Sequence, residues 1–176
     1  SGVLETRALL AFLPRISEAL TGEPLALPNI ATWWCGQPAE RDYVMANAER
    51  MTIGNALETR MLFDSEDIAV FRGNDPALDP QKLADWIDTR RGALVGQEAV
   101  TLSTTPACDD GRLVPRPMTL RVVLARTPSG WQVMPGGLAR IGRSSSAMLA
   151  LQRGGSAADV WIVSQNPIPN ETMIAT

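Results

Sequence analysis

Val95-Gly-Gln-Glu-Ala-Val-Thr-Leu-Ser-Thr-Thr-Pro106, Pro115-Arg-Pro-Met-Thr-Leu-Arg-Val-Val-Leu-Ala125, Trp131-Gln-Val-Met-Pro-Gly-Gly-Leu-Ala-Arg140 and Leu151-Gln-Arg-Gly-Gly-Ser156 decide how this chain is read. Each joins a β-type run to polar or glycine-rich residues. Arg121 and Arg140 sit within them where an anion could be held. Working outward, helical patterning dominates before these stretches, so the order is helix-rich first and strand-rich later.

Composition sets the outer limits. The chain has 176 residues, room for one domain or two small subdomains, with 45% hydrophobic and 20% charged residues. Sixteen basic and 19 acidic side chains leave a net charge of −3. That is no footprint for nucleic acid or an anionic membrane. No apolar run reaches transmembrane length. Cys35 and Cys108 are too few and too far apart for a disulfide framework, which fits a reducing cytoplasm. The chain contains 0 histidines. That excludes Ser–His–Asp triads, Cys–His dyads and His-ligated zinc within it. Cys35, Ser103 to Thr105 and Ser144 to Ser146 therefore lack a histidine that could activate a nucleophile.

Residues 4–20 carry Leu9, Leu13, Ile16 and Leu20 at helical spacing, with Pro14 positioned to split the run and Gly22 to stop it. A short strand is expected at 29–32 and a helix opening at Gly36-Gln37-Pro38 and running to about Glu49. Met51 to Ile53 reads as a strand, 54–60 as a loop and 68–72 as a strand. Asp79 caps a helix with Pro80 at its first position and Leu83, Trp86 and Ile87 inside. Arg90 and Arg91 suit its C-terminal end, and Gly92 ends it. Strands follow at 95–102 and 160–164, with a turn at 108–111. Residues 119–126 and 130–134 form a hairpin around Thr127-Pro-Ser-Gly130.

In order and spacing, the four stretches, together with Thr32-Trp-Trp-Cys-Gly-Gln-Pro-Ala-Glu40, resemble the C-terminal core of circularly permuted, type 2 ATP-grasp proteins. The likeness runs from about Gly2 to Ser164. It implies an α/β (α+β) fold: a mainly antiparallel sheet with flanking helices. It also implies ATP and Mg²⁺ as cofactors, and kinship with peptide-type and glutathionylspermidine-synthase-like ligases. Such enzymes activate a carboxylate with ATP and pass the acyl phosphate to an amine.

By the same resemblance, Gln97, Glu98 and Ala99 belong to the strand leading into the adenine-contacting hinge. The plainer alternative is a half-exposed strand. Arg121 would face phosphate or a substrate carboxylate, or else pair with Glu98 or Asp159. Arg140 would line the triphosphate end, or else be a solvated arginine after a turn whose glycines, Gly136 and Gly137, permit close backbone approach. Gly154 and Gly155 would make a backbone nest for an anion, or else an ordinary turn. Trp33 and Trp34 read as core packing rather than a stacking platform for a base.

The departures from the family pattern matter equally. Catalytic relatives carry Lys-Pro, whose lysine holds phosphates, where this chain has Gly54-Asn55. They carry Asp where it has Thr119, and Asn-Ser-Ser-Gln-Gly-Gly where it has Leu149-Ala-Leu-Gln-Arg-Gly154. Their Gly-Ser-Lys-Asp becomes Ser156-Ala-Ala-Asp159. No metal site is assigned, because Mg²⁺ needs hard oxygen ligands that these replacements remove.

The resulting expectation is a piece of an ATP-grasp-like protein, degenerate in its phosphate and metal site, serving as a scaffold or binding module. The alternative is part of an active ATP- and Mg²⁺-dependent carboxylate–amine ligase. Residues 1–50 are expected to form a helical segment, 51–164 the sheet core, and 165–176 a linker. The Ser1-Gly2 start without Met reads as an internal piece, and Ser164-Gln-Asn-Pro-Ile-Pro-Asn-Glu171 as the start of a linker. In the long proteins that the chain resembles a helical domain follows that point, so the resemblance implies a C-terminal helical domain as partner, in the same or a neighbouring chain. A nucleotide or peptide is the expected ligand.

Overall fold

Met51, Ile53, Leu94 and Val95 are almost fully buried, and they mark two central strands around which the first half of the chain is organised. The computed structural model describes residues 2–59, 71–72, 79–142 and 155–163. The chain divides into two compact units, Ser1–Thr101 and Leu102–Thr176.

In the first unit, β1 (Thr32–Trp34), β2 (Met51–Asn55), β3 (Phe71–Arg72) and β4 (Leu94–Glu98) form an antiparallel sheet in the order β1-β4-β2-β3. The sheet is flanked by α1 (Arg7–Leu10), α2 (Leu13–Thr21), α3 (Pro38–Ala46) and α4 (Pro80–Arg90). Val44 of α3 and Leu83 and Ile87 of α4 pack with Cys35, Met51, Ile53 and Leu94 into one core. Burial of these side chains is the main stabilising term here, at about 1.5–3 kcal/mol for each large aliphatic residue.

Local signals explain the ends of these helices. Pro14 does split the first helical run, sitting in the opening turn of α2, and Gly22 closes α2 in the left-handed region at φ 75°. Pro38 opens α3, which ends at Ala46, short of the expected Glu49; a 3-10 turn (Ala48–Arg50) leads into β2. The Asp79 carboxylate accepts from the Gln81 N–H at 3.0 Å, the expected cap, with Pro80 directly behind it. The end of α4 differs from expectation: Arg91, not Gly92, takes the positive φ, at 32°.

Arg7 carries no signal in the sequence pattern, yet it is only 1% exposed. Its guanidinium meets Glu58 at 3.2 Å and donates to the Asn55 carbonyl at 3.1 Å, tying α1 to the end of β2. A cation can be buried here because a carboxylate and a carbonyl replace its water.

The second unit is all strand among the described residues. β5 (Thr104–Asp109), β6 (Arg112–Arg121), β9 (Gly137–Ile141) and β10 (Ser156–Val160) form an antiparallel sheet in the order β10-β9-β6-β5. β7 (Leu124–Thr127) and β8 (Gly130–Val133) make a hairpin around the expected turn, but residues 119–121, expected in its first strand, belong to β6 and pair with β9 instead. Between β5 and β6, Asp110 and Gly111 take positive φ of 47° and 74°, the two-residue turn that an Asp-Gly pair favours.

Several boundaries shift. The strand expected at 29–32 is Thr32–Trp34, and β2 continues through Gly54 and Asn55, where a loop is expected. The strand expected at 95–102 ends at Glu98, and the one expected at 160–164 is Ser156–Val160. β5 and β9 are additions to the expected set. Pro106 masks β5 in the sequence, and Pro135-Gly-Gly137 gives the start of β9 the character of a loop. Residues 68–70, Ser144 to Ser146 and 165–176 lie outside the described residues. Both cysteines are free thiols, and no helix among the described residues is long and apolar enough to cross a membrane.

Candidate functional site

Strand register brings together the two arginines that the sequence singles out. Arg121 of β6 lies opposite Leu138 of β9, and Leu138 lies opposite Asp159 of β10. Two residues along β9, Thr119 lies opposite Arg140, and Arg140 opposite Ala157. Side chains alternate across a strand, so Thr119, Arg121, Leu138, Arg140, Ala157 and Asp159 share one face of the sheet. Ala139 and Ile141, pointing to the other face, are buried at 6% and 8% exposure.

On the first face Arg121 is exposed and Arg140 half-buried. They are diagonal neighbours across one strand pair, a relation that sets Cα atoms about 7–8 Å apart. Thr119 adds a hydroxyl directly opposite Arg140. Asp159 is diagonal to Arg140 on the other side. Neither arginine forms an ion pair with a described residue within 4.0 Å. Within the second unit, the alternative pairing of Arg121 with Asp159 is therefore not made. Nor does the desolvation argument for a partner apply, because Arg121 stays in contact with water.

Close packing of glycine holds this arrangement. A Cβ on Gly137 would stand 2.7 Å from the Arg121 carbonyl oxygen. Gly136 adopts φ 119°, a conformation that side chains rarely take, and its Cβ would meet the Val160 carbonyl at 3.3 Å. The Gly136-Gly137 pair thus lets β9 enter the sheet between β6 and β10. Arg140 stands on β9, three residues beyond Gly137.

The remaining candidates fall elsewhere. Gln97 and Glu98 are the last two residues of β4, and Ala99 lies just beyond it, so the three are not mid-strand. Gln97 is 2% exposed and its amide donates to the Thr32 hydroxyl at 3.0 Å, stitching β4 to β1. Glu98 and Ala99 are exposed. Gly155 is exposed and precedes β10, whereas Gly154 lies outside the described residues. Trp34 packs edge-on against Phe12, with centroids 6.0 Å apart, and its indole N–H donates to the Gly92 carbonyl at 2.8 Å. Trp33 stacks on Tyr43 at 4.8 Å and borders the core. Both tryptophans are thus structural.

Chemically, two guanidinium groups and a hydroxyl suit phosphate or carboxylate oxygens. Among the described residues, no group of three or more His, Cys, Asp and Glu could hold a metal ion. Asp159 is the one carboxylate in the β6–β9–β10 register rows of this face. These residues fit the phosphates of a nucleotide and do not by themselves fit Mg²⁺. Cys35 is buried against α3 and β4, and desolvation pushes its thiol up to about 11, against smaller opposing effects of a Gly96 backbone hydrogen bond and the Arg41 charge. It is a packed thiol rather than a nucleophile.

Residues 1–142 match the family described as circularly permuted ATP-grasp type 2. A Frankia alni protein named "Putative glutamate--cysteine ligase 2-3" is 29% identical over 171 residues, covering 92% of this chain and 18% of that protein. An uncharacterized protein of Mycobacterium tuberculosis is 29% identical over 165 residues, covering 92% of this chain and 17% of its own length. An uncharacterized Synechocystis protein is 26% identical over 168 residues, covering 93% and 33%. The chain thus spans between about a sixth and a third of the length of these relatives.

Proposed function

This chain belongs to the circularly permuted ATP-grasp type 2 family, and from that premise we propose that it is an anion-binding module that does not itself complete an ATP-dependent ligation. The observation that carries this reading is the register placing Arg121 and Arg140 side by side on one sheet face. Two neighbouring cations repel, and an anion between them removes the repulsion while gaining charge-assisted hydrogen bonds. The ligand is a nucleotide polyphosphate or a substrate carboxylate. Support for a degenerate site comes from Gly54-Asn55 and Thr119, which offer no cation and no carboxylate where catalytic relatives carry Lys and Asp.

The second reading is a working ATP- and Mg²⁺-dependent carboxylate–amine ligase, related to the glutathionylspermidine-synthase-like branch, to which this chain contributes the arginines. The name of the Frankia relative favours it. Turnover separates the two. The whole protein is incubated with ATP, Mg²⁺, carboxylate and amine mixtures, and ADP release is followed. Anion binding without ADP release supports the module. ADP release abolished in Arg121→Ala supports the ligase.

A C-terminal helical domain is the proposed partner of the second unit. Leu120, Val122, Val123, Leu124, Trp131 and Val133 are each about half or more exposed, an apolar surface that a second layer would bury.

A further inference from the structure

We propose a second binding site in the first unit: a cleft on the free edge of β1 that takes a small zwitterionic α-amino acid. A cavity of about 130 Å³ runs along all three residues of β1, between the α1–α2 turn and the start of α3. Its size suits an amino acid. Arg15 of α2 and Glu40 of α3 both line it. Neither forms an ion pair with a described residue within 4.0 Å. One cation and one carboxylate facing the same small space match the carboxylate and ammonium of an amino acid.

The strand edge supplies another, independent feature. Among the described residues β1 is the outermost strand of its sheet and pairs only with β4. The Cys35 N–H donates to the Leu94 carbonyl and the Glu98 N–H to the Ala31 carbonyl, each at 3.0 Å. In an antiparallel ladder the residues between such bonds alternate in direction. The N–H and C=O of Thr32 and the N–H of Trp34 therefore face away from β4, towards the outer edge. The Trp34 carbonyl, which shares that direction, already accepts from the Gln37 N–H at 3.2 Å. Gln37 also lines the cleft, and its side chain makes no capping bond to α3. These edge groups, unpaired among the described residues, can hold the amino acid's α-ammonium and carboxylate as a neighbouring strand would. Phe12, packed on Trp34, gives the cleft an apolar wall for a small side chain.

The cleft belongs to the first unit and the Arg121–Arg140 face to the second, and either can fail without the other. The test is titration of the isotopically labelled protein with L-alanine, followed by backbone amide signals. N-acetyl-L-alanine, which lacks the ammonium, and L-alaninamide, which lacks the carboxylate, serve as controls. The expected result is saturable shifts of the Thr32 and Trp34 amides with L-alanine. Arg15→Gln and Glu40→Gln should each weaken binding about tenfold or more, the scale of one charge-assisted hydrogen bond. N-acetyl-L-alanine should bind weakly to the unsubstituted protein and be indifferent to Glu40→Gln. Absence of saturable shifts at millimolar L-alanine overturns the proposal, as does binding that both variants retain in full. The amide shifts of the unsubstituted protein decide the matter even where a variant folds poorly.

Discussion

Replacing Gly137 with alanine tests whether close approach of β9 to β6 builds the anion-binding face. The new Cβ would stand 2.7 Å from the Arg121 carbonyl oxygen, 0.7 Å inside the 3.4 Å at which ordinary contact begins. A carbonyl fixed in the backbone cannot rotate aside as a long side chain can. Strand β9 must therefore move away from β6 where Leu138 faces Arg121. Overpacking of this kind costs about 1–3 kcal/mol. For a chain of this size that is a fall in unfolding midpoint of about 2–4 °C for each kcal/mol. Thermal unfolding gives the cost, and hydrogen exchange at 118–121 and 138–141 gives its place. Faster exchange in those segments with little change at β2 and β4 is expected, together with weaker binding of ATP or pyrophosphate. An unchanged midpoint, with unchanged exchange at Arg121 and Leu138, would mean that β9 does not depend on this close approach.

Three further outcomes are expected. Gly96→Ala pushes a Cβ to 2.7 Å from a methyl of Val44, a fully buried and rotationally stiff side chain, and should destabilise the first unit by about 1–3 kcal/mol in urea unfolding. Asp79→Ala removes the side-chain acceptor for the Gln81 N–H and should cost about 1 kcal/mol, localised to α4 by hydrogen exchange. Cys35 binds its proton more tightly folded than unfolded, so its contribution is constant below pH 9 and is lost as pH rises from 9.0 towards about 11. That loss reaches roughly 2 kcal/mol by pH 11. At pH 8 an alkylating reagent should modify exposed Cys108 quickly and Cys35 only on unfolding, as counted by mass spectrometry.

Helix punctuation in the first unit is legible in the sequence because proline, glycine and aspartate act locally. Pro14, Gly22, Pro38 and Asp79 each do what their own chemistry dictates. Strand pairing depends on partners distant in sequence, and it is far less legible. Pro115 and Pro117 lie within β6, and Pro106 within β5, although proline usually argues against a strand. The arginines are legible as residues, through the family resemblance, but their shared face is not. It follows from the pairing of 118–121 with 138–141, and no local pattern encodes that register. Buried Arg7 is hidden for the same reason, since Asn55 and Glu58 lie about fifty residues away. The dense pattern of apolar residues around it reads as an ordinary amphipathic helix.

Whether Arg121 and Arg140 hold one anion is decided by calorimetric titration with ATP, with and without Mg²⁺, of the unsubstituted protein, Arg121→Ala, Arg140→Ala and the double variant. Saturable binding is predicted, weakened about tenfold or more by each single change, with the double variant losing less than the sum because the two side chains hold one anion. No binding by the unsubstituted protein, or binding that both single variants retain unaltered, would contradict it.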